Sequence, residues 1–262
     1  MKTLIVGRTS TGKDSLKDIL IKTYGWKFVI STTNRPKRSE TEDTHVFLTT
    51  EEVNNIPIED KVAITNINGY EYFATRQQVE EADGYIIDPN GVYMLLRNMP
   101  EEWFLIVYMR PSDAAVQEEM AMHRSDKPEE EIKVFHARQA DEDEQFTLFE
   151  QKIANGEKLA DNCDTILSFT NNYEMKSLEN LAIELEFKRR FHANVKPIIK
   201  DLLEFNIMNH DENGNPILTM SNGVPFVISI DSLAEYLHEN EEMLGNMTKH
   251  WLQLSTEKSK EE

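Results

Sequence analysis

The most chemically pointed stretch of the chain is "GRTSTGKDS", residues 7–15. Gly7, Gly12 and Lys13 stand at the spacing G-x-x-x-x-G-K, with the apolar run "TLIVG" before them and helical periodicity after them. Glycines let a backbone wrap a phosphate so that successive N–H groups point inward. A helix start adds partial positive charge, and a lysine reaches the β and γ oxygens. Gly7, Thr9, Ser10, Thr11, Gly12, Lys13, Asp14 and Ser15 are therefore the expected cradle of a nucleotide's phosphates, and Lys13 its expected catalytic cation. Asp14 stands where the pattern has a hydroxyl. Its carboxylate, with Ser15 beside it, can hold Mg²⁺ directly or through water. It can equally be an acid favoured by the dipole at a helix start; residue type does not choose.

A second concentration lies in "STTNRPKRSETEDTHVFL", residues 31–48, where Arg35, Lys37 and Arg38 gather within four positions. The planar fork of arginine suits a phosphate better than a lysine ammonium does. A solvated basic turn is the alternative.

These residues need a frame. "TLIVG" (3–7), "WKFVIST" (26–32), "VFLT", "KVAITNI", "GYIIDPNG" (84–91), "WFLIVYM" (103–109) and "DTILSF" (164–169) read as strands. Helical spacing is expected over 13–24 with Gly25 as its stop, in "TEEVNN", over 75–82, and from about 112 to 155 with a break near Asp126-Lys127-Pro128. "EMKSLENLAIELEFKRRF" is one more helix. Strands alternating with helices imply a parallel α/β sheet covered on both faces. After Phe187 the pattern changes: Asn213-Gly214 and Asn222-Gly223 mark turns between β-prone runs, and a helix is expected from about 231 to 254.

With 262 residues, 39% of them hydrophobic and 29% charged, the chain suits an ordinary globular fold. A net charge of −19 opposes any broad nucleic-acid or anionic-membrane surface, so a phosphate ligand must meet a local basic pocket. The single cysteine, Cys163, excludes an intrachain disulfide framework. No apolar run approaches the roughly 20 residues of a membrane span, and the start "MKTLIVG" lacks a signal-peptide pattern. A cytoplasmic location is expected. The seven histidines lack metal-ligand spacing. The basic, aromatic "FKRRFHANVK" reads as a helix face rather than a nucleic-acid contact.

Together the two phosphate-suited stretches resemble the guanylate kinase family, whose members carry a phosphate loop at the N-terminus and then S-x-T-x-R-x-x-R-x-x-E, followed by an aromatic residue and phenylalanine. The arginine spacing matches at Arg35 and Arg38. However, the pair sits one place late after "STT", which includes Ser31, and Glu40 follows Arg38 by two residues rather than three. His45 stands near the place of a phosphate-binding tyrosine. "EYFATR" is an altered N-Y-Y-G-[ST]-[ST], which carries Tyr72, Phe73 and Thr75 onto acceptor positions, with Phe73 unable to donate. "YIIDPNG" resembles the strand ending L-D-x-D-x-Q-G, and Asp88 matches one of its acids. "MHRSDKPEEEIKVFHARQADEDE" is similar to the family's lid and carries over Arg124 and Arg138 as transition-state arginines. "CDTILSFTNNYEMKSLENL" resembles the closing strand and helix.

The resemblance covers residues 1–186 and implies a three-layer α/β P-loop kinase with a parallel sheet flanked by helices. An acceptor-binding part lies at about 31–84 and a lid at about 123–145; a small α+β C-terminal extension, 187–262, follows. It also implies ATP and Mg²⁺ as cofactors and a nucleoside monophosphate as acceptor. Where the family reads guanine with a glutamate, "KVAITNINGY" offers Thr65, Asn66 and Asn68 but no acid, and an amide presents a different donor and acceptor face. The sequence therefore leaves three acceptors open: guanine-like, broader in base and sugar, or a phosphorylated metabolite that is not a nucleotide. A binding module without catalysis is a further alternative. Met243, Leu244, Met247, Trp251 and Leu254 repeat at helical spacing, which suits packing on the main domain or in a homodimer.

Overall fold

The computed structural model describes residues 1–37, 40–67, 69–123, 128–164, 166–193, 208–219 and 225–230, together with Ile199, Leu202, Leu203, Ser232, Leu233 and Leu237. The expected helix over 231–254, the turn at Asn222-Gly223, and Arg38 and Arg124 lie largely or wholly outside those residues. The chain forms two compact units, Met1–Leu178 and Glu179–Glu262.

The first unit is built on a parallel sheet of β1 (Lys2–Gly7), β6 (Gly84–Ile86), β7 (Phe104–Pro111) and β8 (Leu167–Asn171), in the order β6-β1-β7-β8. Its central strands are buried on both faces, which is why "TLIVG" and "FLIVYM" are continuous apolar runs rather than alternating ones. Leu4, Val6, Phe104, Ile106 and Tyr108 share one core with Val92, Leu95 and Leu96 of α4 (Pro89–Asn98) and with Phe146 and Phe149 of α6 (Pro128–Ala154). Strand alternation turns Ile5, Leu105, Val107 and Met109, equally buried, to the opposite face. There α1 (Lys13–Tyr24) lies along β1 and buries Leu16 and Leu20. Helices thus cover both faces of the sheet. Gly25 ends α1 at φ 68°, and its N–H returns to the Ile21 carbonyl.

A second, mostly antiparallel sheet has the order β3-β2-β5-β4, with β2 (Thr32–Thr33), β3 (Val46–Phe47), β4 (Lys61–Ile67) and β5 (Tyr70–Thr75). Short α2 (Thr50–Asn54) and α3 (Arg76–Glu81) each begin with a capping box, from Thr49 and Thr75. α5 (Ala114–Met122) and α6 pack as a hairpin with the expected break between them, and the expected lid, about 123–145, takes in that break and the first part of α6. α7 (Met175–Ala193) contains the boundary between the two compact units, and the expected division at 186/187 falls in the same helix. In the second unit, β9 (Ile217–Thr219) pairs antiparallel with β10 (Pro225–Val227).

Three expectations need correction. "WKFVIST" is not one strand: it meets the main sheet only at a Phe28–Gly84 bridge before β2 begins. The reason is that β6 is only three residues long, too short to pair with a full strand. β6 ends early because Asp88 does not extend it; its carboxylate accepts the Gly91 N–H and caps α4, with Pro89 at the first helical turn. α4 itself begins inside the stretch that reads as the strand 84–91 and has no counterpart among the expected helices. Finally, the last strand of the main sheet starts at Leu167 rather than Asp164.

Phe149 is fully buried at the junction of α6 with the sheet, edge-on to Tyr93 and Tyr108. Phe149→Ala is expected to cost about 3–5 kcal/mol, read as a lowered midpoint with unchanged slope in urea unfolding. A loss below about 1 kcal/mol would contradict this packing.

Candidate functional site

A loop that turns N–H groups toward a ligand must have the carbonyls of those peptides bonded elsewhere, and the loop between β1 and α1 meets that condition. Each of the five carbonyls from Gly7 to Thr11 has a side-chain donor. Lys13 Nζ donates to the Gly7 and Arg8 carbonyls at 2.6 and 2.7 Å. Gln117 Nε2, buried on α5, donates to the Thr9 carbonyl at 2.6 Å. The Tyr173 hydroxyl donates to that of Ser10 at 3.0 Å, and Asn171 Nδ2 to that of Thr11 at 2.9 Å. No peptide here is cis, so the carbonyl and N–H of each unit point in opposite directions. With the carbonyls of Thr9, Ser10 and Thr11 pulled outward, the N–H groups of Ser10, Thr11 and Gly12 face the concave side.

Two glycines are required by position. A Cβ on Gly7 would stand 2.5 Å from the Met109 carbonyl, and one on Gly12 would stand 2.4 Å from Asn171 Nδ2 at a φ of 90°. Gly12 caps α1 without a side-chain bond, which leaves the first-turn N–H groups of α1 to a ligand. The Ser10 hydroxyl is buried and makes no hydrogen bond among the described residues, at a φ of 61°. Asp14 and Ser15 lie exposed in the first turn of α1, with Asp14 3.6 Å from Lys17. A carboxylate and a hydroxyl side by side form a hard oxygen set that fits Mg²⁺. No group of three or more His, Cys, Asp or Glu that could hold a metal occurs among the described residues.

Thr9, expected on the nucleotide, faces the lid hairpin. Its N–H donates to both oxygens of Glu142 at 3.1 and 3.0 Å, and its hydroxyl donates to the same carboxylate at 2.8 Å. Next to it, Arg8 pairs with Asp143 and, at 3.1 Å, with Glu150, which also accepts from the Tyr108 hydroxyl. Desolvation opposes the Arg8 charge, but the hydrogen bonds to Glu150 and Asp143 outweigh it, so the guanidinium is held above its ordinary range. Arg138, the described lid arginine, lines a small crevice with Thr9, Ala121, Glu131, Val134 and Phe135. The lid arginine thus lies beside the loop.

The guanylate kinase family model matches residues 1–173. The chain belongs to the guanylate kinase family. Among solved structures it is similar to the crystal structure of guanylate kinase from Anaplasma phagocytophilum, at 14% identity and a TM-score of 0.44, over 72% of this chain and 86% of that one. No curated protein matches the chain.

Four of the residues expected to bind the acceptor meet at the second sheet and the loops that enter and leave it. Arg35 Nε donates to the Tyr72 hydroxyl at 3.0 Å, Ser31 Oγ lies 2.9 Å from His45 Nδ1, and the His45 ring is edge-on to Tyr72 at 5.3 Å. Arg35 has a partner that the sequence did not suggest. Glu42 accepts from Nη2 at 2.7 Å and Nη1 at 3.3 Å, while Nη1 also reaches the Pro36 carbonyl. Both members of this pair are about nine-tenths buried. The Glu42 hydrogen bond is the main reason the Arg35 pKa is raised. Arg35 therefore enters the site already neutralised. Asp88 accepts from Thr65 at 2.8 Å besides capping α4, and Thr75 caps α3. Phe73 is buried in the sheet beneath Lys61, which pairs with Glu71 at 2.7 Å.

The loop's support by Tyr173 has a pH signature. Burial pushes the Tyr173 hydroxyl up to about 12, from 10.0 for a free side chain. In that window the unfolded chain loses the proton while the folded chain keeps it, so stability falls as pH rises from about 10 to about 12. Tyr173→Phe is expected to flatten this part of the alkaline stability profile by one proton, measured by urea unfolding across the window. An unchanged slope would contradict the assignment.

Proposed function

We propose that this chain transfers the γ-phosphoryl group of ATP to a nucleoside or deoxynucleoside monophosphate. Family membership together with an intact phosphate loop supports this reading, with the carbonyls from Gly7 to Thr11 all bonded and Lys13 in place. A guanylate kinase-like domain used only for binding has no need of so complete a cradle.

The acceptor's phosphate oxygen is already a nucleophile, so no covalent intermediate is required. Catalysis consists of alignment and charge neutralisation. The N–H groups of Ser10, Thr11 and Gly12 and the first turn of α1 hold the donor phosphates, and Lys13 neutralises the migrating group. Arg138, with Arg124 from the lid segment outside the described residues, adds positive charge when the lid covers the site, and the lid keeps water out. Asp14 and Ser15 would hold Mg²⁺, which supplies further neutralisation of the β and γ phosphates when bound. Ser31, Arg35, His45 and Tyr72 bind the acceptor phosphate, with Arg38 beside them in sequence. Asp88 and Thr65 form the polar pair available to the base. Because Asp88 is shared with Thr65 and no second acid stands on β4, the acceptor need not be guanine.

The test is ADP formation with a panel of ribo- and deoxynucleoside monophosphates, ATP and Mg²⁺. Turnover with at least one acceptor is expected, reduced roughly 100- to 1,000-fold in Lys13→Ala, as for the loss of other charge-stabilising donors. No turnover with any member of the panel at high enzyme concentration would refute the reading.

A further inference from the structure

Among the described residues, the side chains that hold Thr9 come from α5 and α6: Gln117 of α5 takes its carbonyl, while Glu142 of α6 takes its N–H and hydroxyl. Neither side chain faces the concave side of the loop. The Arg8 carbonyl is turned to Lys13 at 2.7 Å, so the Thr9 N–H of that same trans peptide points away from Lys13, and Glu142 meets it on the outer side. The next peptide runs the other way. Gln117 draws the Thr9 carbonyl outward and thereby turns the Ser10 N–H inward.

We infer that Gln117 and Glu142 are positioning residues through which the lid hairpin sets the phosphate loop for ATP. Glu142 fixes the peptide whose carbonyl holds the Lys13 ammonium, and Gln117 fixes the peptide whose N–H faces the phosphates. Each acts through one peptide plane, without touching the nucleotide. Asn171 and Tyr173 support the following two carbonyls from β8 and the segment after it, on the body of the sheet. Among the described residues, it is the Arg8–Thr9 end of the loop that is tied to α5 and α6. A displaced lid therefore releases the Lys13 end of the cradle and leaves its Gly12 end in place. This inference rests on the reading of the loop as an ATP site. A carboxylate so close to a triphosphate could instead act as a competing anion, and the two roles predict opposite signs.

The test uses the full chain and Gln117→Ala, Glu142→Ala and Glu142→Gln, with ATP affinity by calorimetry, amide exchange over residues 8–12 by mass spectrometry, and KM for each substrate. Gln117→Ala and Glu142→Ala are expected to weaken ATP roughly ten-fold, the loss expected for removing one or two strong hydrogen bonds. They should also speed exchange in the loop and leave the acceptor KM within about two-fold. Glu142→Gln should retain most of the affinity, since an amide oxygen still accepts from Thr9. Tighter ATP binding in Glu142→Ala, or loop exchange and ATP affinity unchanged in both alanine variants, would overturn the inference. So would an equal rise in both KM values with a lowered melting temperature, which marks a merely structural role. If the wild type binds no ATP, the kinase reading fails. Exchange then still decides the clamp: faster exchange in both alanine variants supports it and unchanged exchange refutes it.

Discussion

A peptide plane cannot turn its N–H toward a ligand without turning its carbonyl the other way. Everything around the phosphate loop follows from that constraint. An anion-binding cradle needs a second ring of donors behind it, and this protein supplies them from four places: the loop's own lysine, α5, the end of β8 and the turn after it. The glycines fit the same logic. Gly12 leaves room for the Asn171 amide, and Gly7 leaves room for the Met109 backbone. The sheet's order β6-β1-β7-β8 places these supports beside the loop, since β7 lies next to β1 and β8 next to β7.

The same economy appears around the second sheet, where charge is paired within the chain. Glu42 holds Arg35 and Glu71 holds Lys61, and both basic side chains are nearly buried. In a chain of net charge −19, such pairing keeps cations oriented rather than adding net attraction. The neighbouring Tyr72 and Ser31–His45 contacts fix the rest of the constellation.

The sequence made the cradle legible but not its scaffolding. Gly7, Gly12 and Lys13 announce themselves by local spacing, as do β1, α1 and the α5–α6 break. Gln117, Glu142, Asn171 and Tyr173 do not, because they meet the loop across 108 to 163 positions of chain and carry no motif of their own. Glu42 was legible only as one acid among several in "SETEDT". α4 is not legible in the same way because Asp88-Pro89-Asn90-Gly91 reads as the end of a strand; an N-cap acid followed by proline is the signal for a helix start. The strand reading of 26–32 failed for a non-local reason, the shortness of its partner.

α6 has one more consequence. It runs unbroken for 27 residues, a rod of about 40 Å. Phe146 and Phe149 anchor one part of it in the core, Glu142 ties it to the loop, and the stretch back to Pro128 extends about 20 Å beyond that tie. A tilt of about 15° about the tie would sweep the Pro128 end by roughly 5 Å. Arg138, only one turn away from Glu142, would shift by less than 2 Å. The geometry is that of a lever with its charge near the pivot. Large excursions at the Pro128 end would leave Arg138, in its crevice beside Thr9, almost still.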